Sequence, residues 1–257
     1  MPTWKLKIEY DGTRYSGWQQ QPNGRTVQGE LIKVANNIFS DIVDIGGAGR
    51  TDAGVHALEQ VAHLRAKKNL SIKHLQINFD QLLPKDININ KIELVNDHFD
   101  ARHDAISRYY LYQISLHRTA FGKPYVWWIK DRLNIDLMQQ ACYHLIGLHD
   151  FQSFCEMVDN KSTLVKVESA SIKTTDNLVL FRISASHFLW KMVRRIVGIL
   201  VEIGRRNISL KEYLRFFEKI SDLPAKYTAP SSGLFLEKII YPGDVKADQI
   251  YPAYFYF

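Results

Sequence analysis

Two hydrophobic periodicities take turns along this chain, and that alternation limits the folds open to it more than any other feature. Trp4, Leu6, Ile8 and Tyr10 alternate with polar residues and run into Asp11-Gly12, the pattern of a half-buried strand entering a turn. From Thr26, which can cap a helix, the apolar residues Val27, Leu31, Val34, Ala35 and Ile38 form one stripe and predict a helix to about Ser40. Strands are expected at Ile42 to Ile45 and Val55 to Leu64. A helix from Ser71 to about Leu83 is stopped by Pro84, and strands follow near Ile87 to Val95 and Ile106 to Leu116. The second half repeats the theme, with helices from Ile135 to Ile146, His187 to Gly204 and Leu210 to Ile220. Its strands lie at Leu164 to Lys173, Leu178 to Ser184 and Leu234 to Tyr241. Such an order predicts an α+β protein of two similar halves, each an antiparallel sheet with helices on one face. The halves share no residue-by-residue repeat.

The 257 residues are 46% hydrophobic and 23% charged, enough apolar material for a large core. No Pro/Gly/Ser-rich linker separates the halves, so they are expected to share an interface. A net charge of +6 attracts an anionic partner such as nucleic acid without demanding one. Cys142 and Cys155 lack a C-x-x-C or histidine-rich context and read as reduced, packed thiols. No stretch of about 18 residues is continuously apolar, and Met1 to Tyr10 reads as a strand rather than a signal-peptide core. The expectation is a cytoplasmic protein that does not enter the membrane.

The chemistry concentrates in Gly46 to Ala57, GGAGRTDAGVHA, a glycine-dense loop between two strands. Its glycines permit positive φ and close approach of a ligand, and Asp52 lies two residues after Arg50, a candidate charge partner. The alternative is a turn in which Asp52 accepts backbone hydrogens of its own loop and Arg50 is a surface residue. A phosphate-binding loop fits poorly, because neither the glycine spacing nor a Lys-Ser/Thr ending is present.

GRTDAGVHA resembles the signature of the tRNA pseudouridine synthase A family. The likeness continues through YDGTRYSGWQQQ (Tyr10 to Gln21), TVQGEL (Thr26 to Leu31), FDARHDA (Phe99 to Ala105) and SRYYLYQI (Ser107 to Ile114). It extends further through HDFQSF (His149 to Phe154), FLWKMVRRIVG (Phe188 to Gly198) and TAPSSGLFL (Thr228 to Leu236). The resemblance implies the pseudouridine synthase fold, in which the sheets of the two halves join into one central sheet with the active-site cleft between them. The expected halves are residues 1–104, carrying the aspartate loop, and 105–257, completing the cleft. It also implies a homodimer acting on tRNA uridines 38, 39 and 40 of the anticodon stem-loop.

Carried over by motif, Asp52 matches the catalytic aspartate, Arg50 its partner, Tyr110 the active-site tyrosine and Arg194 a further active-site arginine, while Leu234 matches an apolar wall. Arg108 and Tyr112 also match the tyrosine motif. Phe99, Asp100, Ala101, Arg102 and His103 fall on an RNA-contacting stretch. Lys161, Lys191 and Arg195 are added as candidate RNA contacts, Lys191 and Arg195 on a helix whose other side packs. The aromatic cluster Tyr125, Trp127, Trp128 is read as at least partly core.

The implied reaction breaks the N1–C1′ bond of uridine, turns the base and rejoins it through C5. A carboxylate can serve as nucleophile at C1′, as in retaining glycosidases, or as the base that removes the C2′ proton. Either route needs an ionised Asp52, which a neighbouring guanidinium favours. Tyr110 can stack on uracil and move a proton at C5. No metal and no cofactor are expected. The chain departs from the family pattern at Tyr109, Leu111, Ser162 and Ser186, which places RNA choice, more than reaction type, in question. Three other readings stay open: the same chemistry on ribosomal RNA or another tRNA site, a non-catalytic RNA-binding protein, and a hydrolase, whose acid would have to come from Asp11 or Glu59.

Overall fold

Alternation sets the first strand: in β1 (Thr3–Tyr10) the side chains of Trp4, Leu6 and Ile8 share one face and are fully buried. The computed structural model describes residues 1–157, 162–246 and 248–253. The chain divides into two compact units, Met1–Ile106 with Phe235–Lys246, and Ser107–Leu234 with Ala247–Phe257.

In the first unit β1 leads to α1 (Val27–Phe39), β2 (Asp44–Gly47), β3 (His56–Arg65), α2 (Ile72–Leu82) and β4 (Ile87–Val95). Thr26 caps α1 by accepting the Gly29 N–H (3.2 Å), and Ser71 caps α2 by accepting that of His74 (3.2 Å). β1 pairs antiparallel with both β3 and β4, and β2 pairs antiparallel with β3. Trp4 meets Phe39 of α1 at 5.5 Å between ring centres, which ties helix to sheet. β2 begins two residues later than its apolar pattern suggests. Side chains have claimed the preceding donors: the Ile42 N–H goes to Asp41 (2.8 Å) and the Val43 N–H to Asn36 (3.0 Å), leaving Ile42 82% exposed.

The second unit runs β5 (Ser107–Ser115), β6 (Trp127–Trp128), α3 (Ile135–Tyr143), β7 (Gly147–Asp150), β8 (Leu164–Thr174), β9 (Leu178–Ala185), α4 (Met192–Gly204), α5 (Leu210–Glu218) and α6 (Leu223–Lys226). Its sheet has the order β5-β9-β8-β7, antiparallel throughout, with the short β6 parallel to β5. Every residue of β5 and β9 is buried. Part of that cover is the stretch 248–253: Arg182 donates to the Gln249 carbonyl (2.6 Å), Lys173 to that of Ile250 (3.0 Å), and Gln113 accepts the Ala253 N–H (2.7 Å). The last strand, β10 (Leu234–Ile240), lies parallel to β3 at Phe235 and Leu236.

The architecture is α+β, with three further differences from the periodicity. α3 stops at Tyr143, short of Ile146, because Gly147 at φ +116° turns the chain into β7, a strand too short to read from sequence. α4 starts at Met192, five residues after His187, because Lys191 sits at φ +63° and interrupts the helical path. β6 and α6 carry too few residues to leave a period. Cys142 and Cys155 are free and buried, and burial pushes the Cys142 thiol up to about 12. Among the described residues no helix is long and apolar enough to cross a membrane.

Candidate active site

Asp52 is half-buried on the loop that joins β2 to β3, and Arg50 on the same loop is exposed. The loop is clamped along its length by the segment after β1. The Trp18 N–H donates to the Thr51 carbonyl (3.1 Å) and the Gly54 N–H to that of Tyr15 (3.2 Å), bracketing Asp52 on both sides. Gly17, at φ +96°, makes this approach possible, since a Cβ there would lie 2.6 Å from the Thr51 carbonyl oxygen. One strand residue past the loop, buried His56 accepts the Gly12 N–H at Nδ1 (3.1 Å) and stacks on Phe235 at 4.7 Å.

Beneath the loop lies a buried polar clasp. The Tyr10 hydroxyl meets that of Thr51 at 2.9 Å, and the fully buried Gln60 donates its amide to the Gly49 carbonyl at 2.8 Å. Burial raises the Tyr10 phenol to about 12, so it stays neutral and keeps its proton. Satisfied polar groups in such a setting fix one geometry, because each would be costly to leave unpaired.

The stretch Phe99 to His103 belongs to the same unit and is partly structural. Ala101 is fully buried; its N–H donates to His63 Nδ1 (3.0 Å) and its carbonyl accepts the Tyr241 hydroxyl (2.6 Å). The ring of Phe99 leans on that of Tyr241 at 5.4 Å. Asp100 accepts the N–H groups of Arg102 (2.8 Å) and His103 (2.9 Å). Burial alone would raise its carboxyl; those two donors and the neighbouring histidines outweigh it and hold the group below its usual value. Arg102 and His103 are the two exposed members.

In the second unit Arg108, Tyr110 and Tyr112 alternate along β5 and so share a strand face. Tyr110 meets Phe188 edge-on at 4.9 Å, and Arg108 donates to the Ser186 carbonyl at 2.7 Å. The Tyr112 hydroxyl donates to the Pro230 carbonyl at 2.8 Å. Burial pushes its phenol well up, an effect the nearby Arg194 charge partly offsets. Arg194, in the first turn of α4, is tied to the segment before β10: its Nε–H donates to the Ala229 carbonyl (2.8 Å), and the Ala229 N–H donates to the Arg194 carbonyl (3.0 Å). Leu234 follows, buried, at the start of β10.

The other candidate RNA contacts fare differently. Lys191 is ion-paired with Glu156, and Arg195 lies 3.8 Å from the same carboxylate while donating to the Cys155 carbonyl. Both cations are therefore engaged within the protein. Lys161 lies outside the described residues. Of the aromatic cluster, Trp127 packs edge-on to Tyr112 at 6.3 Å, whereas Trp128 is 42% exposed.

The tRNA pseudouridine synthase profile matches residues 7–104 and 141–242. The chain belongs to the tRNA pseudouridine synthase family. Relatives named tRNA pseudouridine synthase A include that of Dictyoglomus thermophilum, 40% identical over 94% of this chain and 100% of the relative. That of Thermodesulfovibrio yellowstonii is 38% identical over 92% and 98%, and that of Aquifex aeolicus 35% identical over 93% and 100%. For a synthase of this family the residues that pattern reading passed over are Tyr10, Gly17, Thr51, His56 and Gln60, which support the aspartate loop. A signal existed for Gln60, a polar residue at an inward position of an alternating run. For the others only tertiary contact reveals the role.

Proposed function

We propose that the chain isomerises uridine to pseudouridine in tRNA at positions 38, 39 and 40 of the anticodon stem-loop, with Asp52 as the catalytic carboxylate. The observation that carries this reading is the loop itself: a half-buried aspartate whose backbone is bonded immediately before and two residues after it, above a satisfied polar clasp. A carboxylate held that firmly can meet one sugar carbon repeatedly in the same geometry.

In this reading the N1–C1′ bond of the target nucleotide breaks, with Asp52 acting at C1′ or on the C2′ proton. The freed uracil turns, a C5–C1′ bond forms, N1 gains a proton and C5 loses one. Tyr110, edge-packed on Phe188, stacks on the uracil and serves the C5 proton. By motif Arg50 is the partner of the aspartate, Arg194 a further active-site arginine and Leu234 an apolar wall. Extracting a base from its stack costs a few kcal/mol, which basic and aromatic contacts offset. Arg102 and His103 are the members of the Phe99–His103 stretch best exposed to meet phosphate. A homodimer working in the cytoplasm accompanies this reading and is checked by light scattering with and without tRNA.

The test is tritium release from a [5-³H]uridine-labelled tRNA transcript, comparing the chain with Asp52→Asn. Release by the parent and none by the variant, with tRNA binding retained, is expected. Release from ribosomal RNA alone would move the substrate; no release from either would leave a non-catalytic RNA-binding protein.

A further inference from the structure

Trp190 is 51% exposed, whereas Trp4 and Trp18 are buried to within 1%. It sits in the turn that precedes α4, and that turn is held from several directions. The Glu156 N–H donates to the Trp190 carbonyl at 3.0 Å. Lys191, the next residue, is fixed in the left-handed region at φ +63°, a conformation that a lysine adopts only where its surroundings impose it. Its ammonium pairs with Glu156 and lies 5.0 Å from the centre of the Trp190 ring, while the Arg195 N–H closes on the Lys191 carbonyl at 3.0 Å.

A large apolar ring is thus held out to solvent on a rigid turn, at the cost of a strained backbone residue. The Lys191 ammonium lies against the ring, and Arg194 and Arg195 follow in the first turn of α4, with Glu156 paired to Lys191 and close to Arg195. A cation beside an exposed indole on a bonded turn, followed by two arginines in the next helical turn, fits a ligand with an anionic backbone and a flat π face. We propose that Trp190 is a stacking platform for a base of the bound tRNA. The inference rests on the tRNA reading above, and it gives Lys191 a role other than phosphate contact: the lysine holds the ring in place.

The experiment measures tRNA binding by chains that carry Asp52→Asn, so that turnover does not intervene, together with Trp190→Ala, Trp190→Leu or Trp190→Phe. Leucine keeps apolar bulk without a π face and guards against a folding defect; phenylalanine restores the face. Loss of one base stack is expected to weaken binding about 10-fold or more for alanine and leucine, with phenylalanine close to the parent. No phosphate contact is removed, so the slope of log affinity against log salt is expected to stay unchanged. Binding equal to the parent in the alanine and leucine chains would overturn the proposal, as would a phenylalanine chain as weak as leucine or a slope reduced by about one. A parent that neither binds tRNA nor forms pseudouridine would sink the tRNA reading itself; an active parent with indifferent Trp190 variants would sink only the platform.

Discussion

Replacing Gly17 by alanine places a methyl group against the backbone that carries Asp52. A Cβ at residue 17 would lie 2.6 Å from the Thr51 carbonyl oxygen, 3.2 Å from the Asp52 carbonyl carbon and 3.3 Å from the Ala53 nitrogen. All three are main-chain atoms, so no flexible side chain can swing aside, and the gap must open by about 0.8 Å to reach an ordinary contact at 3.4 Å. The φ of +96° adds a left-handed penalty of roughly 1–2 kcal/mol for a residue with a Cβ. Gly243 separates the two costs, because it has φ +87° and nothing within 4 Å of its Cβ position. Gly243→Ala should therefore carry the backbone penalty alone, lowering Tm by about 2–8 °C for a chain of this size and leaving turnover intact. Gly17→Ala should lower Tm further. It should also lower kcat by about 10- to 100-fold, since a misplacement approaching 1 Å costs about that much in a positioned reaction. Thermal melts by circular dichroism and tritium release from tRNA measure both. Gly17→Ala with the same kcat as Gly243→Ala would refute the claim that this contact sets the aspartate.

Tyr10→Phe removes the buried partner of the Thr51 hydroxyl, at a cost of about 1 kcal/mol in urea unfolding; kcat should fall while tRNA affinity holds, and a change in stability alone would make the clasp merely structural. Gly198→Ala brings a Cβ within 1.6 Å of the Tyr227 carbonyl, forcing α4 and the segment to Ala229 apart where Arg194 is bonded. Tm and kcat should drop together, and an unaltered kcat would argue against a role for Arg194's anchorage. Burial, and then the charge of Arg65, hold His63 below its usual value despite Asp100 and Asp44 nearby. The folded state therefore binds fewer protons than the unfolded one below the ordinary histidine value of about 6.5. The stability contributed by neutral His63 is present above that pH and lost as pH falls towards the lowered value. Tm measured from pH 7.5 down to about 5.5 should decline, and less steeply in His63→Gln; parallel curves would exclude His63 as the source.

What was legible in the sequence follows a physical rule. β1, α1, α2, β4, β8 and β9 lie where periodicity places them because burial of one face governs them and their caps are local. Misplaced boundaries occur where a side chain or distant backbone takes over a main-chain group: Asn36 and Asp41 ahead of β2, Glu156 at the turn before α4. The site divides the same way. Arg50 and Asp52 stand out through one motif and Tyr110 and Arg194 through two others, but no motif says which cations face solvent. Lys191 and Arg195 read equally as a phosphate-meeting or a merely solvated face, and neither reading foresees Glu156, remote in sequence, which pairs with Lys191 and lies 3.8 Å from Arg195.

The conformation of Asp52 is fixed by residues that have no reaction to perform. Gly17 permits the close approach, Tyr10 and Gln60 satisfy Thr51 and Gly49, and His56 accepts the Gly12 N–H beneath Phe235. These contacts lie within one unit, and most join β1 or the segment after it to the loop before β3. The YDGTRYSGW segment therefore has a mechanical role: Gly17, the Trp18 N–H and the Tyr15 carbonyl pack and bond against the aspartate loop. Substitutions there should impair turnover more than binding, whereas changes at exposed Arg102, His103 or Trp190 should do the reverse. That opposition between kcat and tRNA affinity distinguishes a residue that shapes the loop from one that meets the substrate.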